Sequence, residues 1–403
     1  MSTRVRLISL CLTLLILSLH GCATLSPQHV DLTITNVHLY TEPEKPPLQA
    51  ANISINAGKI IAIYAGVPLK SDSIIDANGQ TATAGLWNSH VHFTDPGIKG
   101  NSDQIIADML LKYGFTTVID TGSSLAETLA LAKRIEDGQL PGPSILTVNG
   151  SFVFKNGTPS YLPNITLPEL ERPEEAEALV AFVLESGADG IKIFSGSFQS
   201  RSKTIHLPPD IIRAVADAAH SRGSYVFAHP TDRIGLTNAV ENGVDVVAHT
   251  APQAGPLGAA LVAIMKKNNV ALIPTLKLWA YELQRARVGR KEALAYQNLG
   301  VVQLKEYFNA KGEILFGTDV GYMHDFDTAE EFELMNAAGM DFDDILASMT
   351  TIPSSRFSDI ISRVAVGTPA DIVIFKDDPS LDVTAFSRVA YTIKGGRVVY
   401  RGE

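Results

Sequence analysis

Two histidines one residue apart, His90 and His92, close the stretch Ala84-Gly85-Leu86-Trp87-Asn88-Ser89-His90-Val91-His92. Extended backbone alternates its side chains with period two, so both imidazoles project from one face and can reach one metal ion. A helix would need a spacing of three or four to do the same. Four more residues of ligand type, Lys192, His229, His249 and Asp319, lie in or just after short apolar runs that read as buried strands. The chain has ten histidines, and four of them fall at such strand ends together with a lysine and an aspartate, a joint placement that chance explains badly. Its two cysteines, Cys11 and Cys22, both sit in the extreme N-terminal segment. Any metal is therefore held by nitrogen and oxygen, which suits zinc, with manganese or iron as alternatives.

Such a set needs a scaffold that brings distant strand ends to one place. Eight apolar runs alternate with helical stretches between Thr83 and Ser355: 83–87, 116–119, 144–148, 190–193, 224–227, 244–247, 270–274 and 314–316. Helices are expected over 101–113, 124–137, 174–186, 209–221, 237–242, 257–267 and 293–310, and several end on a glycine just before the next strand, as at Gly114, Gly187, Gly223 and Gly243. Eight units in about 270 residues fit an α/β fold of the closed (β/α)8 TIM-barrel type, assigned to 83–359, whose strand ends open on one face. An open doubly wound sheet would want a glycine-rich phosphate loop after the first strand, and Gly85-Leu86-Trp87-Asn88 is not one. Alternating segments over 30–82 and again over 360–403 read as one β-sandwich-like subdomain built from both chain ends.

The motifs Ser89-His90-Val91-His92, Gly190-Ile191-Lys192-Ile193, Ala228-His229, Ala248-His249 and Gly317-Thr318-Asp319 resemble those of the amidohydrolase superfamily of metal-dependent hydrolases, and its imidazolonepropionase-like and prolidase-like branch above all. The resemblance implies two divalent ions bridged by a carboxylated Lys192. His90, His92 and Asp319 would hold the more buried ion, and His229 and His249 the outer one. It also implies that Asp319 is the catalytic acid–base, taking a proton from the attacking water and passing it to the departing atom. Many relatives carry Ile-Asp where this chain has Trp87-Asn88, which leaves the ligands intact but the subfamily open. Carboxylation also answers a physical difficulty, since an ammonium among cation ligands is repelled. The alternative is a single ion with Lys192 as an ammonium facing the substrate.

Substrate contacts are expected from loops on the same face: Phe152, Lys155 and Tyr161 after the third strand, Trp279 after the seventh, and Tyr322 and His324 after the eighth. His220, near the end of its helix, reads as a C-terminal cap. The expected reaction is hydrolysis of an amide-type bond in a small molecule such as an Xaa-Pro dipeptide, an N-acyl amino acid or a cyclic amide. Lactone or ester hydrolysis would use the same site, and a non-catalytic exported solute-binding lipoprotein is the reading from another class. With 33 basic against 43 acidic residues the formal net charge is -10, which argues against a nucleic-acid partner. Residues 1–22 read as an export signal: Arg4 and Arg6, an apolar run from Leu7 to Leu19, then Leu19-His20-Gly21-Cys22, similar to a bacterial lipobox. Export to the periplasm or cell envelope with lipid attachment at Cys22 is expected, or secretion if Cys22 stays unmodified. The sequence leaves room for a homo-oligomer.

Overall fold

The computed structural model describes residues 29–93, 102–162 and 164–403. The export segment and Cys22 lie outside them. Among the described residues no helix is long and apolar enough to cross a membrane.

The chain begins with five strands, β1 (Val30–Leu39), β2 (Leu48–Asn56), β3 (Lys59–Tyr64), β4 (Ser71–Asp76) and β5 (Thr81–Ala84). β1 and β2 pair in antiparallel fashion, and β4 and β5 attach in parallel to successive halves of β1. Ten strands follow: β6 (Leu86–Val91), β7 (Phe115–Asp120), β8 (Ser144–Phe154), β9 (Glu169–Leu170), β10 (Gly190–Phe194), β11 (Gly196–Ser200), β12 (Lys203–His206), β13 (Tyr225–His229), β14 (Val246–Ala248) and β15 (Ala271–Ile273). The chain ends on β16 (Ile372–Phe375), β17 (Val389–Lys394) and β18 (Arg397–Arg401). β16 pairs with β5, so strands from both chain ends form one mixed sheet in the order β18-β17-β16-β5-β1-β2-β3. Ile34, Ile53, Ile55, Ile372, Ile374 and Ile393 fill its core. Branched side chains suit a pleated surface packed on one face.

The second sheet is parallel, in the order β6-β7-β8-β10-β13-β14-β15. Its closure is irregular. Residues 314–316 form no regular strand, but Leu272 donates to Glu313 O and accepts from the Leu315 amide, and Ser89 and His92 donate to Phe316 O and Val320 O. The eighth stave of the barrel is thus present as bridges to both neighbours. Ladder pairing lapses because the segment turns at Asp319, whose φ of +61° is left-handed.

Inside the barrel, Ile119, Val148, Phe227, Val246, Ile273 and Leu315 form an apolar layer. Period two sets what stands above it: Phe227 in the layer puts His229, two residues on, at the mouth. In register, Lys192 lies beside Phe227 and Phe194 beside His229.

Three features differ from the sequence expectation. Thr83 belongs to β5 of the mixed sheet, and the first barrel strand begins only at Leu86. Gly85 alone joins the two, and a Cβ there would stand 2.2 Å from Thr116 Oγ1. The segment after β15 is a helix, Lys277–Arg285, and not an open loop. Its first amides, on Leu276 and Lys277, donate to the buried Glu331 carboxylate at 2.8 Å each, which satisfies groups a helix start leaves unpaired. Lastly, β8 continues as strand to Phe154 where a loop was expected from Asn149.

Candidate metal centre

Six side chains from five staves meet at the C-terminal mouth. His90 and His92 come from the end of β6, Lys192 from β10, His229 from the last position of β13, His249 from just after β14, and Asp319 from the closing segment. Asp319 Oδ1 lies 3.2 Å from His90 Nε2 and 2.9 Å from His92 Nε2, while Oδ2 lies 3.9 Å from His249 Nε2. The His249 ring is 4.6 Å from that of His90 and 5.0 Å from that of His229. Among the described residues, His90, His249 and Asp319 form the cluster whose ligand atoms all lie within 4.8 Å of one another.

Neither imidazole contact to Asp319 Oδ1 is aligned as a hydrogen bond, so two buried atoms of this set, Asp319 Oδ1 and His90 Nδ1, are left without a hydrogen-bond partner. Buried polar atoms are normally satisfied, so an unmet acceptor among imidazoles points to a cation. Protonation states agree. Burial, aided by Lys192, pushes His90 and His229 down to about 3, and burial holds His249 well below the usual histidine range. Burial alone would raise the Asp319 carboxyl, but His90 and His249 outweigh it and hold it well below the usual carboxylate range. Near neutral pH the site therefore offers neutral imidazole lone pairs and one carboxylate, the donor set that a zinc-type ion takes. The residues fit the group.

The supporting contacts fix these ligands. Thr275 Oγ1 lies 2.5 Å from His249 Nδ1, which aims Nε2 at the cluster. Thr275 is fully buried with φ +43°, and Asp319 shares the left-handed region, strain of the kind that a surrounding structure holds at working sites. Asp319 N–H and His92 N–H donate across the closing seam to His90 O and Val320 O. Gly321, with φ +99°, passes so close that a Cβ would fall 1.9 Å from His92 O. Asn88, fully buried, donates to Thr318 Oγ1 at 2.7 Å and accepts from the amides of His90 and Thr318. It thereby ties β6 to the aspartate segment, a positioning role that residue type alone did not disclose.

Above the six lies a cavity of about 290 Å³. Tyr161, Trp279 and Tyr322 line it, as the sequence led one to expect. Tyr161 OH stands 3.5 Å from His229 Nε2, and the Trp279 indole donates to Thr250 Oγ1. Phe152 does not reach the cavity. Because β8 continues as strand, its side chain turns back into the core beside Ile191 and Ile193. Lys155 is at the surface, paired with Glu171 at 2.9 Å. His324 is exposed, outside the lining, with its amide donating to Tyr281 OH. His220 pairs with Asp245 at 2.8 Å. Phe194, Phe198, Glu282 and Tyr296 also line the cavity and were not anticipated. Phe194 had a readable signal, since it follows Lys192 by two residues on the same strand face. Phe198 sits on the β11–β12 hairpin and Glu282 on the unanticipated helix, so neither had one.

The amidohydrolase family model matches residues 81–399. The chain belongs to the amidohydrolase family. It is a metal-dependent hydrolase, with the buried His90, His249 and Asp319 at its centre. Across the family, a dihydroorotase of Streptococcus pneumoniae serotype 4 is 20% identical, with 89% of this chain and 97% of that protein aligned. Among solved structures, a Xaa-Pro dipeptidase with bound methionine superposes with TM-score 0.80 at 22% identity, covering 92% of this chain and all of the other. The ochratoxinase of A. niger gives TM-score 0.74 at 18% identity, over 92% and 96% of the two chains. These likenesses at low identity carry the amidohydrolase fold.

Proposed function

We propose that this protein hydrolyses an amide-type bond in a small molecule, using two divalent ions, most simply zinc, held by His90, His92, His229, His249, Asp319 and a carboxylated Lys192. The observation that carries this is the pairing of an unsatisfied, ionised Asp319 with neutral imidazoles at the base of an apolar cavity. Fold likeness to a protein described as a Xaa-Pro dipeptidase supports the choice of bond. Lys192 is buried, and among the described residues no carboxylate lies within ion-pair distance of it. A lone buried ammonium beside cations is unfavourable, and carboxylation turns it into an anionic ligand.

Bound ions would supply Lewis-acid polarisation and a more acidic water. The chain's own groups do the rest. Asp319 accepts the proton of the attacking water at its carboxylate and delivers it to the leaving nitrogen, a role that suits a carboxylate within reach of both. Tyr161, kept protonated because burial drives its hydroxyl well above the usual phenol range, can donate to the substrate's carbonyl oxygen. Trp279 and Phe194 exclude water from the reacting centre.

Metal analysis of the purified protein, with hydrolysis assayed across dipeptides, N-acyl amino acids, cyclic amides and lactones, tests this directly. About two ions per chain are expected, in keeping with paired-metal hydrolytic sites, together with activity that a chelator abolishes. A metal-free protein with equal activity would overturn the reading.

A further inference from the structure

One wall of the cavity is a single helix face. Leu278, Trp279, Glu282, Leu283 and Ala286 follow one another at helical spacing along Lys277–Arg285 and its C-cap, and all five line the cavity. Four are apolar or aromatic. The fifth is a carboxylate where the stripe calls for an apolar residue. Glu282 is held there by two partners: Arg285 Nη1 lies 2.9 Å from its Oε1, and the Tyr322 hydroxyl hydrogen-bonds to it. The Arg285 guanidinium is wedged 5.6 Å from the ring centres of both Tyr281 and Tyr322. Its side chain is 55% exposed against 30% for Glu282, and only Glu282 lines the cavity. Among the described lining residues the one cationic type is Lys192, at the floor among the ligands. The upper wall thus presents aromatic and aliphatic surface, one carboxylate and no described cation.

Resting on the hydrolase reading above, we propose that Glu282 is a specificity-determining residue that turns away substrates bearing a free carboxylate on the part lodged against this helix, so that the preferred substrates are amides with an uncharged, apolar end. An anion brought there loses its water beside a like charge and gains no partner, since Arg285 is paired with Glu282 and does not line the cavity. An uncharged amide end meets Trp279 and Leu283 with no such penalty. The charge of Glu282 is already offset by Arg285 and Tyr322, so the wall does not favour a cation strongly either.

The test is calorimetric titration of chelator-treated protein with N-benzoylglycinamide and with N-benzoylglycine, which differ only at the terminal group, a neutral carboxamide against a carboxylate. Removing metal keeps the acid from being captured by an ion. In the unaltered chain the amide binds tighter by on the order of tenfold or more, the scale of like-charge exclusion at a partly buried site. Glu282→Gln frees Arg285 and brings the pair to parity or inverts it. Arg285→Gln leaves Glu282 unbalanced and widens the gap. A merely structural ion pair would shift both ratios in the same direction, and that result overturns the proposal. So does an acid that binds as well as the amide, or failure of both probes to bind. Loss of the hydrolase reading would look different: binding ratios as stated, with no chelator-sensitive hydrolysis of any amide in the panel.

Discussion

The barrel has a cavity at each end, and they are nearly the same size. The one at the C-terminal mouth is about 290 Å³; the other, about 320 Å³, lies where strands begin, lined by Gly85, Trp87, Thr117, Ser144 and the 357–363 segment. Volume does not separate them. What does is the convergence at the mouth of neutral imidazoles, an ionised carboxylate and unmet buried polar atoms, whereas the lower cavity contains none of the six converging residues. In its place stand settled contacts such as Trp87 Nε1 to Ser362 Oγ and Lys394 to Asp371. Unmet atoms also occur singly elsewhere, at Thr328 Oγ1 and Arg356 Nε for example, so it is their gathering with ligand-type side chains that marks the working site.

This contrast can be broken or sharpened in five ways. The largest effect is expected at Asp319: Asp319→Asn should lower kcat by about 10²–10⁴-fold, the range of a general acid–base, with the fold intact by circular dichroism. Next is the layer under the mouth, where Phe227→Ala should cost about 3–5 kcal/mol in denaturant unfolding. Removing the Thr275 hydroxyl should weaken metal binding by about 10–100-fold, as is typical for a group that orients a ligand. Thr275→Val is the variant to titrate with zinc, and Thr275→Ser should restore the affinity.

A smaller effect is a pH slope. Burial pushes the Glu331 carboxyl from its ordinary 4.5 up to about 7, against the pull of the Lys277 and Leu276 amides. Between those two values the folded chain keeps a proton that the unfolded chain has released, so this group's contribution to stability is present at low pH and is lost as pH rises through about 7. Unfolding midpoints of Glu331→Gln measured from pH 4.5 to 7 should show a flatter dependence than the unaltered chain. Smallest of all, Ile360→Ala at the lower cavity should leave kcat/KM unchanged and stability within about 0.5 kcal/mol, the usual span for an exposed position.

The convergence of these six positions was legible because strand ends in a barrel meet at one mouth and because apolar runs announce strands. Period two even placed His90 with His92. The wall of the pocket was not legible, for two local reasons. Thr275 adopts a left-handed backbone that no β-branched residue advertises, and the helix it launches begins on amides satisfied by Glu331, more than fifty positions away. Sequence patterns report neighbours along the chain, and this cap is not one. The eighth run read correctly as apolar, yet the left-handed turn at Asp319 breaks the ladder a regular strand would form. Phe152 was misplaced because a strand that continues through Gly150 looks like a loop in sequence.

Gly85 has a mechanical consequence. It is a one-residue joint between the mixed sheet and the barrel, seated against Thr116 with no room for a side chain. His90 lies five residues further along the same rigid strand. Any displacement of the terminal strands is therefore delivered to the metal ligands as a pull along β6. Trimming or swapping those outer strands should loosen ion affinity at a distance, although none of them touches the mouth.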